Sequence, residues 1–497
     1  MASNVLYYLI TQIHPMKYII YLLIVLLGST LGIHAQGNLN RSWTKQNRPL
    51  RNKVLTFSFT ESRNELRHSY QPWDQTNYQI KGDVWITLQS LYKKENMSIN
   101  GKSVSATLQY DQNTMLFSDY GSNTLATITK DEHRKQLYLS ARYTPTLLLE
   151  YFYNRKTKLE SNTDSIYNTY QEVINEARIR LFINKATDLV DKIDILENDD
   201  FFGNINSTFE YRDYINHQSL FIPKEVLISK INRKLQDSIF INSFKIENKL
   251  PILLTAPLKY TLKESLHDNT SISLEKYNDH IYFLYLGHTD SKSLVVEFKD
   301  FLLVAEAPLN SKNGEMIISE IKKNFPNKLI KFFVFGHHHP HYLGGARPFI
   351  HEGANILSSM GDFDYLTYLT RNPRTLKPDS LELDRKRLNI NILGESRTIT
   401  DNDYSMQVIN IGEDSHHTKD YIIFYFPKEK IIFEGDLVWI PSDGRTTGKV
   451  SNRQKGLYEA IQKLNLNVDT IFQSWPIKEF NYKSKISFKE LEESVKE

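Results

Sequence analysis

The stretch with the clearest chemistry is residues 336–345, which read GHHHPHYLGG and follow the mostly apolar run 329–335. It holds four histidines within five residues, at the end of a predicted strand. Histidine is the commonest metal ligand, and two imidazoles at positions i and i+2 of an extended turn can point into one cavity. The pattern predicts a metal site, and the alternative is a surface histidine cluster that binds metal only incidentally.

Length, charge and cysteine content limit the kinds of protein and metal site that the chain can form. At 497 residues the chain is longer than one ordinary domain, and 40% hydrophobic and 12% aromatic residues suffice for large cores. Lys and Arg number 61 against 58 Asp and Glu, so charge gives no reason to expect nucleic acid as a partner. There is no cysteine, so any metal must be bound through nitrogen and oxygen.

The N-terminus predicts export. Met16-Lys17 precedes an apolar run that ends in small residues before Gln36, the pattern of a secretory signal peptide over residues 1–35, with Met16 as an alternative start. The apolar run of about 16 residues is shorter than the roughly 20 that span a bilayer. We therefore expect cleavage after Ala35, a periplasmic or secreted protein, and no transmembrane helix in the mature chain.

Residues 36–268 predict a mainly-β N-terminal domain. Short alternating runs such as 78–86 are separated by Gly, Asn and Asp, as in antiparallel strands, whereas 165–195 has helical spacing and predicts a helical insertion. The segments 211–214 and 220–223 are similar to the curved-sheet domain of lipoprotein-sorting-like proteins. That resemblance implies an open β surface that holds an apolar or lipid-like ligand.

The pattern changes after residue 269, with a linker expected near 265–270. Strands are predicted over 271–286, 293–306 and 329–335, with an amphipathic helix over 314–324 between the last two. This order favours an α/β layer for residues 269–497. The fold class is thus an α+β multidomain protein.

From about residue 271 to 490 the chain resembles the metallo-β-lactamase-fold hydrolases, whose motif is His-x-His-x-Asp-His before a Gly-rich turn. The motif falls on residues 337–342, with its first two metal ligands present as His337 and His339. His341 stands at the position of the Asp, and Tyr342 at that of the last His. The resemblance implies an αβ/βα sandwich.

Two later segments extend the resemblance. His417, before the predicted strand 421–426, takes the place of the third metal-binding His. Asp436 ends a strand in Gly-Asp, the place of the carboxylate that bridges two metals in the family's hydrolases. Trp475 stands where the family's final His follows a strand.

Three imidazoles and one carboxylate are enough for one Zn²⁺ ion, which lowers the pKa of bound water from 15.7 to about 7. A second metal would need ligands at His341, Tyr342 and Trp475, and neither Trp nor neutral Tyr is a good ligand. We therefore expect one zinc ion held by His337, His339, His417 and Asp436, with His341 as a candidate general base.

Other polar residues near the motif have plainer interpretations. His338 and His416 are expected to be neighbours of the ligands, and His351 and Asp362 structural residues. The segment 370–388 is rich in charge and predicts a solvated surface, although Arg371, Arg374 and Lys377 could meet an anionic substrate.

Two functions remain open at this stage. The first is an exported zinc-dependent hydrolase of an ester, lactone, amide or phosphodiester small molecule. The alternative is an exported binding or scaffold protein whose site has decayed and whose β domain binds an apolar ligand or partner, as the residues at 341, 342 and 475 suggest.

Overall fold

The computed structural model describes residues 37–66, 69–99, 102–110, 115–118, 124–127, 130–250, 261–263, 270–443, 450–478 and 481–496. The predicted signal peptide and most of the predicted linker lie outside these residues. The chain divides into two compact units. The second unit takes Leu66–Thr76 and Asn198–Ile205 from the predicted N-terminal domain, in addition to Leu266–Glu497.

The first unit is mainly β. Its strands are β1 (Val54–Glu65), β2 (Thr76–Ile86), β3 (Leu91–Ile99), β4 (Lys102–Tyr110), β5 (Met115–Ser118), β6 (Thr124–Thr127), β7 (Glu160–Thr163), β8 (Tyr167–Ile174), β9 (Ala177–Asn184), β10 (Val190–Asp199), β11 (Gly203–Arg212), β12 (Ile215–His217), β13 (Leu220–Ile222), β14 (Glu225–Lys230), β15 (Leu235–Glu247) and β16 (Thr261–Lys263). Its helices are α1 (37–46), α2 (Lys130–Leu139) and α3 (Thr146–Asn154).

Fourteen of these strands form one sheet, in the order β16-β6-β5-β4-β3-β2-β1-β15-β14-β11-β10-β9-β8-β7, and β12 and β13 form a separate pair. Strand β9 shows why the sequence folds this way. Ala177, Ile179 and Leu181 are buried, whereas the alternating Arg178 and Arg180 are exposed, the period-2 pattern of a half-buried strand. A buried apolar cluster lies beneath the sheet and packs against α3.

The predicted helical insertion at 165–195 is wrong, because this segment forms β8, β9 and most of β10. Helix formers such as Glu172 and Ala177 are a weak prior that cross-strand pairing overrides. The decisive local feature is the two-residue loop Asn175-Glu176, where both residues have positive φ, as type I′ hairpin turns require. The helices of this unit that follow β6 lie earlier in the chain, as α2 and α3.

The second unit contains two further sheets. Its strands are β17 (Ile272–Lys276), β18 (Ile281–Leu286), β19 (Ser291–Glu297), β20 (Phe301–Ala305), β21 (Leu329–Val334), β22 (Asn355–Ser358), β23 (Asn389–Ile392), β24 (Ser396–Thr400), β25 (Ser405–Asn410), β26 (Ile422–Phe426), β27 (Ile431–Glu434), β28 (Thr470–Gln473) and β29 (Lys485–Ser487). Its helices are α4 (Ser311–Asn324), α5 (Pro340–Leu343), α6 (Ala346–His351), α7 (Phe363–Arg371), α8 (Ser380–Leu383), α9 (Asn452–Lys463) and α10 (Phe488–Lys496).

Strands β17 to β23 form a seven-stranded sheet and β24 to β29 a six-stranded sheet, each in chain order. Phe283, Phe332 and Phe424 belong to a core between the two sheets. A second core joins the seven-stranded sheet to α4, α6 and α7, and a third joins the six-stranded sheet to α9 and α10. These four layers confirm the predicted α+β class and the αβ/βα sandwich.

The strand, helix and strand predicted before the histidine stretch are also confirmed, as β20, α4 and the parallel strand β21. No helix among the described residues is long and apolar enough to cross a membrane.

Candidate metal centre

The histidine stretch begins where β21 ends, and its first residue is fixed by a buried carboxylate. The backbone N–H of Gly336 donates to both oxygens of Glu306, at 3.1 Å each. A Cβ on residue 336 would lie 2.7 Å from Oε1 of Glu306, so any other residue would have to displace this carboxylate. Burial raises the pKa of Glu306 well above its ordinary value. This contact sets where the chain turns from the strand into the histidines.

Three of the predicted ligands come together. One ring nitrogen from each of His337, His339 and His417 lies within 4.8 Å of the others, and all three residues are buried. Nε2 of His337 and Nδ1 of His339 are 3.1 Å apart. His337 and His339 come from the turn before α5, whereas His417 follows the 3-10 helix Gly412–Ser415. The tertiary structure thus converges ligands from the two sheets of the unit on one point.

A backbone carbonyl fixes the tautomer of His339. Nε2 of His339 lies 3.0 Å from the carbonyl oxygen of Ser69, and a carbonyl can only accept, so Nε2 carries the proton and donates. Nδ1, the atom that faces His337, is left with a lone pair. Metal-binding histidines generally donate their other ring N–H in this way.

The cluster fits a divalent cation. Nε2 of His417 is buried and makes no well-aligned hydrogen bond among the described residues, and its near polar neighbour is Oδ2 of Asp436 at 3.4 Å. Burial and the neighbouring imidazoles lower the pKa of His337 well below its ordinary value, and burial brings the pKa of His339 to about 3. Both rings are therefore neutral at pH 7, the form that binds metal.

Asp436 also lies at the cluster. Its Oδ2 is 3.4 Å from Nε2 of His417, and its Oδ1 is 3.9 Å from Nε2 of His337. Arg453, on α9, donates from Nη1 to Oδ2 at 3.0 Å. Burial opposes ionisation of Asp436, but interactions with His417 and Arg453 outweigh it and lower the pKa to about 2. The centre therefore combines the neutral imidazoles of His337 and His339 with one carboxylate that has Arg453 as a cationic partner.

Tyr421 holds the turn that carries Asp436. Its hydroxyl accepts from the backbone N–H groups of Gly435 and Asp436, at 3.0 Å each, and donates to Oε2 of Glu434 at 3.0 Å. A Cβ on Gly435 would lie 2.6 Å from this hydroxyl, which accounts for glycine before the aspartate. The ring of Tyr421 also stacks on His337, with centroids 4.8 Å apart.

The three residues that depart from the family motif lie around the cluster. Tyr342 is buried with its ring centroid 4.2 Å from that of His337, and its hydroxyl has no hydrogen-bond partner among the described residues. His341 is half-buried and packs against Trp475, with centroids 4.7 Å apart. His341 is not one of the three histidines that converge, and its role as a general base stays a prediction.

The residues expected to be neighbours are found in such positions. His338 shares a hydrogen bond with Oγ of Ser69 at 3.0 Å, and its Nδ1 lies 3.9 Å from Asp362. His416 is exposed and adopts a left-handed backbone conformation. His351 lies 3.5 Å from Asp384 on the surface of α6.

The charged segment 370–388 is not uniformly solvated. Arg374 is buried and donates to the carbonyl oxygens of Asp200 and Phe201, at 3.0 and 2.6 Å. The prediction of a wet surface is wrong for this residue, because the segment 198–205 folds against it and supplies backbone acceptors. A substrate contact through Arg374 therefore has no support.

Sequence reasoning missed the segment of residues 69–76, which we call the strap. Ser69 contacts both His338 and His339, and the carbonyl of Tyr70 accepts from the backbone N–H of Lys419 at 2.9 Å. Trp73 anchors the strap against three rings, those of Phe202, Tyr365 and Tyr368. A tryptophan inside a polar loop is the one local signal that could have pointed to it. Arg453 lies in an ordinary amphipathic helix and carried no such signal.

Comparisons with known proteins bear on the fold. No family model and no curated protein matches the sequence. The chain is similar to a metallo-beta-lactamase from Pontibacter korlensis, with 18% identity, 46% of this chain and 98% of that chain covered, and a TM-score of 0.32. It is also similar to the metallo-beta-lactamase FIM-1 from Pseudomonas aeruginosa in its mono-zinc form, with 18% identity, 45% and 93% covered, and a TM-score of 0.33. The fold assignment itself rests on the four layers and two sheets described above.

Proposed function

We propose that the chain is a metal-dependent hydrolase that holds one zinc ion at His337, His339, His417 and Asp436 and acts on a small-molecule ester, lactone, amide or phosphodiester. We propose further that it works outside the cytoplasm, after cleavage of residues 1–35. The observation that carries the proposal is the convergence of three buried imidazoles whose ring nitrogens lie within 4.8 Å.

The residues have distinct roles in this proposal. When bound, zinc supplies a water molecule with a pKa of about 7, a source of hydroxide at neutral pH. His337 and His417 offer Nε2, and His339 offers Nδ1 because Ser69 holds its other nitrogen. Asp436 is ionised at neutral pH and can bind the metal or orient the water. His341, near the edge of the cluster, is the proposed group that takes a proton from the water.

A single metal is supported by what surrounds Asp436. Its Oδ2 already accepts from the Arg453 guanidinium, a cation that balances the carboxylate charge. Tyr342 and Trp475 stand where ligands to a second metal would be needed, and neither is a good ligand in its neutral form.

Metal content tests the proposal first. Elemental analysis of the purified protein should find about one zinc per chain, and His417→Ala should remove most of it. His416→Ala is the matched control, because it removes the exposed adjacent imidazole and should leave the zinc content unchanged. A wild-type protein that binds no metal and keeps its stability in chelator would contradict the proposal.

Hydrolysis tests it second. Turnover of generic ester, lactone and phosphodiester substrates should depend on added zinc and fall by orders of magnitude in His339→Ala. His341→Ala should lower kcat while leaving the zinc content intact. A protein that binds zinc but turns over none of these substrates would favour the alternative, a decayed binding or scaffold protein.

A further inference from the structure

The first unit contains a cavity of about 230 Å³ that no part of the proposed hydrolase uses. Cationic side chains from three strands and from the segment after α2 line it: Arg63, Lys93, Arg142 and Lys230. Among the described residues that line it, Glu65 is the one carboxylate.

The carboxylates that pair with these cations are buried behind them. Glu61 accepts from Arg63 at 2.7 Å and is also paired with Arg142. Glu95 lies 2.8 Å from Lys93, and Asp237 lies 2.8 Å from Lys230.

Exposure separates the two sets of charges. The four cationic side chains are 13–21% exposed to solvent, whereas the side chains of Glu61, Glu95 and Asp237 are 0–5% exposed. The carboxylates therefore fix the positions of the cations but do not face the cavity themselves. The cavity lining therefore carries four cationic side chains and one carboxylate, that of Glu65.

The four cations are matched in number by four carboxylates, but three of these, Glu61, Glu95 and Asp237, lie behind the cations and outside the lining. Only Glu65 shares the cavity lining with the cations. Burial lowers the pKa of both Lys93 and Lys230, and their partner carboxylates offset this only in part. An anion in the cavity would meet the side of these cations that their buried partners leave open.

Part of the cavity wall is apolar. Leu91, Leu139 and Phe209 line it together with the aromatic rings of Tyr110 and Tyr143. Ligand sites typically combine such a wall with a few convergent polar groups that fix orientation. The volume limits the occupant to a small molecule.

We propose that this cavity binds one small organic anion, whose carboxylate or phosphoryl group meets Arg63, Lys93, Arg142 and Lys230 and whose apolar body lies against Leu91, Leu139 and Phe209. Guanidinium groups suit either head group, because their planar N–H donors match paired anionic oxygens.

Isothermal titration calorimetry on the full chain tests the proposal with four probes. Phenylphosphonate, which cannot be hydrolysed as an ester, and benzoate combine an anion with an apolar body, and the tighter of the two identifies the head group. Inorganic phosphate has only the charge, and benzyl alcohol lacks it. We expect saturable one-to-one binding of phenylphosphonate or benzoate, much weaker binding of phosphate and none of benzyl alcohol.

Two variants locate the binding. Lys230→Gln removes one cation while Arg142 still pairs with Asp237, and should weaken binding about tenfold or more. Leu139→Trp leaves every charge in place and puts a larger side chain into the cavity lining, where Leu139 is 41% exposed. It should abolish binding. Arg180→Gln, on β9 and outside the cavity lining, is the control for net charge and should bind as wild type does.

The metal centre is controlled separately. His417→Ala should bind phenylphosphonate and benzoate as the wild type does, so that loss of zinc and loss of this site are distinguishable. The proposal is overturned if neither anion binds the wild type, or if binding survives both Lys230→Gln and Leu139→Trp or disappears in His417→Ala.

Discussion

At the scale of single residues, one hydroxyl group organises the carboxylate side of the metal centre. The Tyr421 hydroxyl has all its hydrogen-bonding positions occupied, because it accepts from two backbone amides and donates to Glu434. Phenylalanine at this position would keep the ring stacked on His337 but would leave those buried amides without a partner.

We therefore predict that Tyr421→Phe lowers the free energy of unfolding by about 2–4 kcal/mol, since each unsatisfied buried group costs about 1–3 kcal/mol. Zinc affinity should fall as well, because the turn that carries Asp436 loses its support. Denaturant unfolding and chelator competition measure the two effects. Tyr425→Phe is the control, because the Tyr425 hydroxyl makes one half-buried bond to the carbonyl of Asn467 and its loss should cost under about 1 kcal/mol.

A second residue-scale prediction concerns acid. Burial alone would raise the pKa of Glu95, but Lys93 and Arg63 outweigh it and lower the pKa from 4.5 to about 2. Because the folded pKa lies below the unfolded one, the stability that Glu95 contributes is present above pH 4.5 and is lost as pH falls towards 2.

The difference in unfolding free energy between wild type and Glu95→Gln should thus be a few kcal/mol near pH 7 and shrink as pH falls towards 2. Urea unfolding as a function of pH measures it. Glu210→Gln, which removes an exposed partner of Arg212, should differ from wild type by no more than about 1 kcal/mol at any pH. A gap that does not narrow for Glu95→Gln would show that its charge is unimportant.

At the scale of elements, the strap is the part of the fold that completes the metal centre. It supplies the carbonyl that fixes His339 and the hydroxyl that contacts His338. Its position depends on Trp73, whose ring meets those of Phe202, Tyr365 and Tyr368 at 4.8 to 5.7 Å.

Trp73→Ala should weaken zinc binding by about tenfold to a hundredfold, the usual cost of losing a group that orients a metal ligand. Trp73→Phe keeps an aromatic anchor and should lose much less. Chelator competition measures both affinities. Equal affinities for wild type and Trp73→Ala would mean that the strap does not position His339.

A buried ion pair joins the helices of the second unit. Arg347, on α6, donates from Nε and Nη2 to the two carboxylate oxygens of Asp379 at 2.6 and 3.0 Å. Asp379 in turn caps α8, through Oδ1 to the backbone N–H of Glu382, and accepts from Ser311 of α4. One carboxylate thus ties three helices together.

Arg347→Met should lower the free energy of unfolding by about 3–5 kcal/mol, because it leaves the buried Asp379 carboxylate without its main partner. Arg385→Met is the matched control, since Arg385 is half-exposed and pairs with Glu382 at the surface. Its cost should stay below about 1 kcal/mol. Thermal or denaturant unfolding compares the two, and equal costs would refute the structural role of the pair.

At the scale of the whole molecule, each unit has its own hydrophobic core. Among the described residues, the first unit buries one cluster against its fourteen-stranded sheet, and the second buries three clusters in its layers. The candidate metal ligands His337, His339, His417 and Asp436 all belong to the second unit. Metal binding should therefore stabilise only that unit directly.

Differential scanning calorimetry should accordingly show two transitions, one of which moves to lower temperature when chelator removes the metal. In His417→Ala the same transition should already occur at the lower temperature, and adding chelator should not change it. A shift of both transitions by the same amount would contradict the assignment of the metal site to one unit.

From the sequence alone, the resemblance of residues 337–342, 417 and 436 to the metallo-β-lactamase-fold hydrolases predicted the sandwich and the candidate ligands His337, His339, His417 and Asp436. Each of these residues follows or flanks a strand. Periodicity predicted the strand, helix and strand before the histidine stretch, because their apolar patterns are local. It failed at 165–195, where helix formers concealed a hairpin whose turn required two positive φ angles.

Only the tertiary structure decided what surrounds the ligands. Ser69 lies 269 positions before His338, and no local pattern links the two. The same holds for Arg453 beside Asp436 and for the four cations of the first unit, which lie on three strands and on the segment after α2. Contacts between distant residues depend on how the elements pack. Packing is set by burial and hydrogen bonding over the whole unit, and the spacing of residues within one segment carries no information about it.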